Sequence, residues 1–131
     1  MATLSPDDHF AIERLYARYN HAIHMADGAV WAACFSEDGR FSNRGGSRQG
    51  AAELAAYGEC LLACGQRALL DQQPRPRRRR GGATGTCYLE ILHVAQHGGR
   101  TMISLTGIYT DVMTKADGDW KFASRHVARD E

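Results

Sequence analysis

Apolar side chains recur every three to four positions from Ile12 through Leu15, Tyr16 and Tyr19 to Ile23, with Glu13, Arg14, Arg18 and Asn20 between them. That is the period of a helix burying one stripe and wetting the other. Ser5-Pro6-Asp7-Asp8 supplies its start: an N-cap hydroxyl, proline at the first helical position, and a carboxylate facing the free N–H groups and the positive end of the dipole. Asp27-Gly28 ends it. A short second helix, Ala29 to Phe35, carries Trp31 and closes at Ser36-Glu37-Asp38-Gly39. A brief strand follows over Arg40 to Asn43, broken by Gly45-Gly46, and a third helix runs from about Gln49 to Cys64 with Leu54, Tyr57, Leu61 and Cys64 on one side.

The last third changes period. Thr84 to Gln96 and Thr101 to Lys115 are rich in β-branched and aromatic residues and are separated by the turn His97-Gly98-Gly99-Arg100. Asp117-Gly118 is a hairpin signal leading into a last strand, Trp120 to Arg129. Helices first and long antiparallel strands afterwards predict an α+β domain, one domain over the 131 residues, with a curved sheet wrapped on three N-terminal helices. Pairing across Asp117-Gly118 sets Tyr109 opposite His126, Asp111 opposite Ser124, and Met113 opposite Phe122, all on one face. An acid, an imidazole and a phenol are therefore expected to converge on one side of the sheet. A buried Asp111 needs a partner or a proton-transfer role. A structural pair to Arg125 or His126 is the alternative to catalysis.

Charge adds one feature. The 16 basic and 15 acidic residues almost cancel, yet five of the arginines fall within Arg75-Pro76-Arg77-Arg78-Arg79-Arg80. Removing those five leaves 11 basic residues against 15 acidic, so a mildly acidic body carries one basic insert. The insert is short and has no interleaved aromatics, so a solvated or locally frameshifted loop is expected there and no nucleic-acid partner. No apolar run reaches the roughly 18 residues of a membrane span, and the N-terminus lacks a signal-peptide pattern, which predicts a cytoplasmic protein with no membrane partner. Cys34, Cys60, Cys64 and Cys87 form no C-x-x-C pair and read as thiols among apolar neighbours. His21 and His24 are three apart, but no third ligand arrives at suitable spacing, so no metal is expected.

Several strings together resemble the SnoaL-like family of the nuclear transport factor 2-like superfamily. They are Arg18-Tyr19-Asn20-His21-Ala22-Ile23 with Asp27-Gly28 and Trp31, Phe35 through Asp38-Gly39-Arg40-Phe41, Ala83-Thr84-Gly85 through Tyr88-Leu89, and Gly107-Ile108-Tyr109-Thr110-Asp111 through Asp117-Gly118-Asp119-Trp120. The likeness spans nearly all of the chain except about residues 66–82. It implies a cone-shaped sheet enclosing an apolar pocket, a small hydrophobic, aromatic or polyketide-like ligand, and a homodimer formed through the sheet. Family enzymes that dehydrate or eliminate use an Asp after the first helix, where this chain has His24, and some add a Tyr five residues earlier, matched by Tyr19. The family's strand His should fall near residues 66–76, which contain no His.

The resulting expectation is a cofactor-independent acid–base enzyme: a dehydratase, isomerase or cyclase. His24 or Asp111 would be the base and Tyr19 and His126 the donors to a developing oxyanion, with Tyr16, Trp31, Phe35, Tyr109 and Phe122 as pocket wall. Asp111→Asn would then stop turnover and leave folding intact. A non-catalytic ligand-binding or structural member of the same fold is the alternative, favoured by the missing His.

Overall fold

A computed structural model describes residues 3–62, 66–68, 74–93 and 100–130. Helix α1 spans Pro6–His24 and starts as its sequence dictates, with the Ser5 side chain accepting from the Asp8 N–H at 3.0 Å. Its stripe of Ile12, Leu15, Tyr16, Tyr19, Ala22 and Ile23 is buried. Asp27 caps α2 (Gly28–Ala33) by accepting from the Val30 N–H at 3.1 Å. Helix α3 covers Ala51–Leu62. It meets α2 at Gly28 and Gly58, where an added Cβ on Gly28 would lie 2.8 Å from the Glu59 nitrogen, so only glycine lets these backbones approach.

The strands are β1 (Phe35–Asn43), β2 (Gly46–Gln49), β3 (Gln66–Ala68), β4 (Arg77–Arg79), β5 (Gly82–His93), β6 (Met102–Ala116) and β7 (Asp119–Arg129). They form one curved, open sheet in the order β2-β1-β7-β6-β5-β3, with β4 also paired to β5. The architecture is the expected α+β one, with three helices on one curved sheet. Gly45-Gly46 does more than end a strand: it turns β1 back into the hairpin partner β2, pairing Asn43 with Gly46 and Arg40 with Gln49. One strand contact is parallel, β1 against β7. The arginine segment is a strand at the sheet edge rather than a loop, with Arg77 opposite Thr84 and Arg79 opposite Gly82. Residues 69–73 of that insert, Cys64, and the turn residues 94–99 lie outside the described residues.

The β6–β7 hairpin holds the largest departure from the sequence-based register. Asp117 and Gly118 take positive φ, 53° and 82°, the backbone of a tight primed turn. Pairing follows expectation from Ala116–Asp119 to Met113–Phe122. A bulge in β7 then shifts it by one residue, so that Asp111 pairs with Arg125, Thr110 with His126, and Tyr109 with Val127. Because side chains alternate across a strand, one extra residue turns the remainder of β7 over. Arg125 and Val127 are buried, and His126 is exposed on the opposite face. The expected Tyr109–His126 and Asp111–Ser124 pairs are therefore replaced.

Candidate functional site

A cavity of about 380 Å³ lies between the C-terminal half of α1, α3, the β1–β2 hairpin and the concave face of β5, β6 and β7. Ile23, Phe41, Leu61, Leu89, Ile91, Leu105 and Val127 form its apolar walls. Its polar groups are the phenols of Tyr19, Tyr57 and Tyr109, the Asn43 amide, and Arg44, Arg48 and Arg129. An apolar wall with a few convergent polar groups is the usual make-up of a small-molecule site.

Tyr19 and Tyr109 are buried and form the inner end. Their hydroxyl oxygens are 3.5 Å apart, at the limit of hydrogen-bond reach, and their rings meet edge to face at 5.9 Å. Burial pushes both phenols above their ordinary pKa, against the pull of Arg125 on each. Both are therefore O–H donors at neutral pH. Near the hairpin the Asn43 amide donates to the Tyr57 hydroxyl at 3.0 Å, and the Arg48 guanidinium lies 4.9 Å over the Tyr57 ring.

Behind the two tyrosines sits a fully buried ion pair, Asp111 with Arg125, each 0% exposed. Arg125 donates from Nε to Asp111 Oδ1 at 2.7 Å and from Nη2 to Oδ2 at 3.2 Å. The Tyr16 hydroxyl donates to Oδ2 at 2.6 Å, and Arg125 Nη2 also reaches the Cys87 sulfur at 3.0 Å. The guanidinium carbon lies 3.5 Å from the centroid of Tyr109, 4.3 Å from Tyr19, 4.5 Å from Phe122 and 5.0 Å from Tyr16. Four ring faces around one cation replace part of the hydration it has lost. Its Nη1 is buried with no hydrogen-bond partner among the described residues, so those rings are its surroundings. Burial disfavours the charged guanidinium, but Asp111 outweighs it, and Arg125 is held well above its ordinary value.

The candidate residues thus separate. Tyr19 and Tyr109 line the cavity. Asp111 does not, because its oxygens are taken by Arg125 and Tyr16 on the far side of the tyrosine rings. His24 is exposed at the C-terminal end of α1, one residue beyond the cavity-lining Ile23. His126 is carried to the outer face by the bulge, where its Nδ1 lies 2.8 Å from the Ser42 hydroxyl. Tyr16, Trp31, Phe35 and Phe122, expected as pocket wall, are instead packed as core: Trp31 and Phe35 centroids are 5.1 Å apart, and Tyr16 meets Phe122 edge to face at 5.3 Å. Among the described residues no group of three or more His, Cys, Asp or Glu side chains is placed to hold a metal ion. Nor is any helix there long and apolar enough to cross a membrane.

Sequence reasoning singled out neither Arg125 as the centre of the network nor the arginines of the cavity. Arg125 was legible as a possible partner for Asp111, but only the bulge decides it against His126. Arg44 and Arg48 lie in a polar, glycine-rich hairpin whose pattern carries no pocket signal.

A family model described as a SnoaL-like domain matches residues 6–126. No curated protein matches the chain. Among solved structures, a variant of Rv3472, a function-unknown protein from Mycobacterium tuberculosis, superposes with a TM-score of 0.87 at 29% identity, over 97% of this chain and 79% of its own. ActVI-ORFA from Streptomyces coelicolor superposes with a TM-score of 0.83 at 24% identity, covering 93% of this chain and 97% of its own. A Nostoc punctiforme protein of unknown function with a cystatin-like fold gives 0.85 at 21% identity, over 98% and 96%.

Proposed function

This chain belongs to the SnoaL-like domain family, and from that premise we propose that it holds a small hydrophobic, aromatic or polyketide-like molecule in the cavity. An oxygen of that molecule accepts from the phenols of Tyr19 and Tyr109. The carrying observation is the placement of two protonated phenols at the inner end of a chamber with apolar walls. A ligand oxygen there replaces water for both donors while its skeleton covers the leucine and isoleucine walls. The test is calorimetric titration with 2-acetylnaphthalene, an aromatic ketone. Saturable one-to-one binding, weakened several-fold by Tyr19→Phe and abolished by Leu105→Trp, is the expected result. Binding that ignores Leu105→Trp would place the ligand elsewhere and end the proposal.

A second reading, acid–base catalysis of the dehydratase, isomerase or cyclase kind, draws support from the same phenols. Donors kept protonated by burial and backed by the Arg125 cation suit an oxyanion developing on the ligand. His24 is the base this reading assigns, while Asp111 serves by positioning Arg125 behind the donors. Exchange of the ketone's α-hydrogens in deuterated water, followed by NMR, discriminates the two. Acceleration that Tyr19→Phe and His24→Ala both remove supports catalysis, and no acceleration leaves binding alone.

Two further parts belong to this proposal. Two buried free thiols, Cys34 and Cys87, fit a reducing compartment such as the cytoplasm. Tyr88 and Ile108 are register partners, both exposed on the outer sheet face, which suits a homodimer formed through the sheet. Light scattering at the dimer mass, falling to the monomer mass for Tyr88→Glu, is the expected outcome; a wild-type monomer removes this part.

A further inference from the structure

We infer that the molecule held in the cavity is an acid, an aromatic or polycyclic carboxylate whose anionic end is gripped by Arg44, Arg48 and Arg129. The inference rests on the binding reading above and names its ligand class.

The cavity is chemically polarised from end to end. Its inner end presents neutral phenols on buried tyrosines, whereas Arg44 and Arg129 are exposed and Arg48 half-buried at its mouth. None of the fifteen residues lining it is Asp, Glu or His. The three guanidiniums are therefore not neutralised from within. Among the described residues the ion pairs are Lys115–Asp8 and Arg125–Asp111, and none of the three mouth arginines takes part in one. By contrast the charge of Arg125, the arginine behind the inner end, is paired with its own carboxylate, Asp111. A neutral ligand would leave these three cations without an anionic partner in the cavity, in a chain whose body, apart from the arginine insert, has more acids than bases.

Arg48 is also held in place. Its guanidinium is stacked over Tyr57, itself fixed by the Asn43 amide, and one N–H donates to the Ser47 carbonyl at 3.2 Å. The remainder of its planar fork is uncommitted among the described residues. A pre-positioned guanidinium loses little freedom when it pairs, and its fork matches the two oxygens of a carboxylate. The supports come from three places in the chain, since Arg44 is at the hairpin turn, Arg48 on β2 and Arg129 at the end of β7. Apolar walls between the mouth and the tyrosines define the rest of the ligand: a flat or polycyclic skeleton with an acid at one end and an oxygen acceptor at the other.

The test compares 2-naphthoate with 2-acetylnaphthalene, which share a skeleton and nearly a size but differ in charge. Titrations use the full chain at low salt and at about 0.5 M salt. The acid should bind about tenfold more tightly or better, as for charge-assisted hydrogen bonds. Arg48→Gln and Arg129→Gln, at partly or fully exposed positions, should each erase most of that preference for acid over ketone; added salt should shrink it as well. Equal affinity for acid and ketone in the wild type overturns the inference and leaves the binding reading standing. If neither compound binds, both fall together. A preference that survives both arginine substitutions also overturns it.

Discussion

Replacing Asp111 by Asn tests the buried network directly, and the structure sets the size of the effect. The substitution keeps the shape but leaves the Arg125 charge 0% exposed with no counter-ion, bordered by four aromatic rings. Breaking one partner of a buried pair costs about 3–5 kcal/mol, because the remaining charge has lost both water and partner. A domain of this kind holds about 5–15 kcal/mol in total, so the loss is a large fraction of its stability. At roughly 3–5 °C per kcal/mol for a chain of this length, the melting temperature should fall by roughly 10–20 °C. Circular dichroism on Asp111→Asn, Arg125→Met and the Asp111→Asn/Arg125→Met double variant completes the cycle. The double variant, with neither charge buried, should lose clearly less than the two singles together. An Asp111→Asn protein melting within about 2 °C of the wild type, or strictly additive singles, would refute the reasoning. The outcome also separates two views of Asp111: a catalytic base predicts an intact fold without it, and the geometry predicts a crippled one.

Two further predictions probe what surrounds that network. A Cβ on Gly85 would sit 2.8 Å from the Tyr16 hydroxyl, so Gly85→Ala must push that hydroxyl off Asp111 at a cost of about 1.5–3 kcal/mol, the value of a hydrogen bond to a charged group. Urea unfolding should show a smaller cost in a Tyr16→Phe background, and an equal cost in both would sink the steric account. Asp8 takes hydrogen bonds from the Trp120 indole at 3.1 Å and from Lys115 at 3.1 Å, and these, the indole first, hold its carboxyl below the ordinary aspartate value. The stabilisation is present above the unfolded-state pKa and disappears as pH falls through the lower folded-state value. Tryptophan fluorescence should therefore titrate below the usual aspartate range in the wild type and lose that step in Asp8→Asn; an unchanged titration would show that Asp8 is not the group observed.

How far the fold could be read from residues varied with how local its cause is. Ser5-Pro6 and the stripe from Ile12 to Ile23 specify α1 through capping and period alone, and the helix begins at Pro6. Asp117-Gly118 likewise fixes its turn and the first pairs beside it. Beyond Phe122 the register depends on a bulge that has no local signature, since Ala123 and Ser124 are ordinary strand residues. That single event moved His126 out and Arg125 in, and with it the identity of the partner of Asp111. Periodicity places Tyr19 on the buried stripe of α1, and only the family resemblance assigns it to the site, because the cavity depends on how α3 and the β1–β2 hairpin close against the sheet. The hairpin itself was hidden by Gly45 and Gly46, which read as a break as easily as a turn. His24 illustrates the limit of matching by position: the resemblance sets it at the family's acid position, yet its side chain is exposed at the helix end.

The bulge in β7 divides that strand into two lengths with different duties, one closing the aromatic core at Trp120 and Phe122, the other supplying the buried cation and a wall of the chamber at Arg125, Val127 and Arg129. Flattening that bulge with every residue kept would turn the second length over, presenting His126 and Ala128 inward and setting Asp111 opposite Ser124. Substitution at Ala123 or Ser124 has no such reach. What inheritance must preserve at this point is a backbone geometry and not a particular letter, because the inward placement of Arg125 opposite Asp111 follows from the bulge.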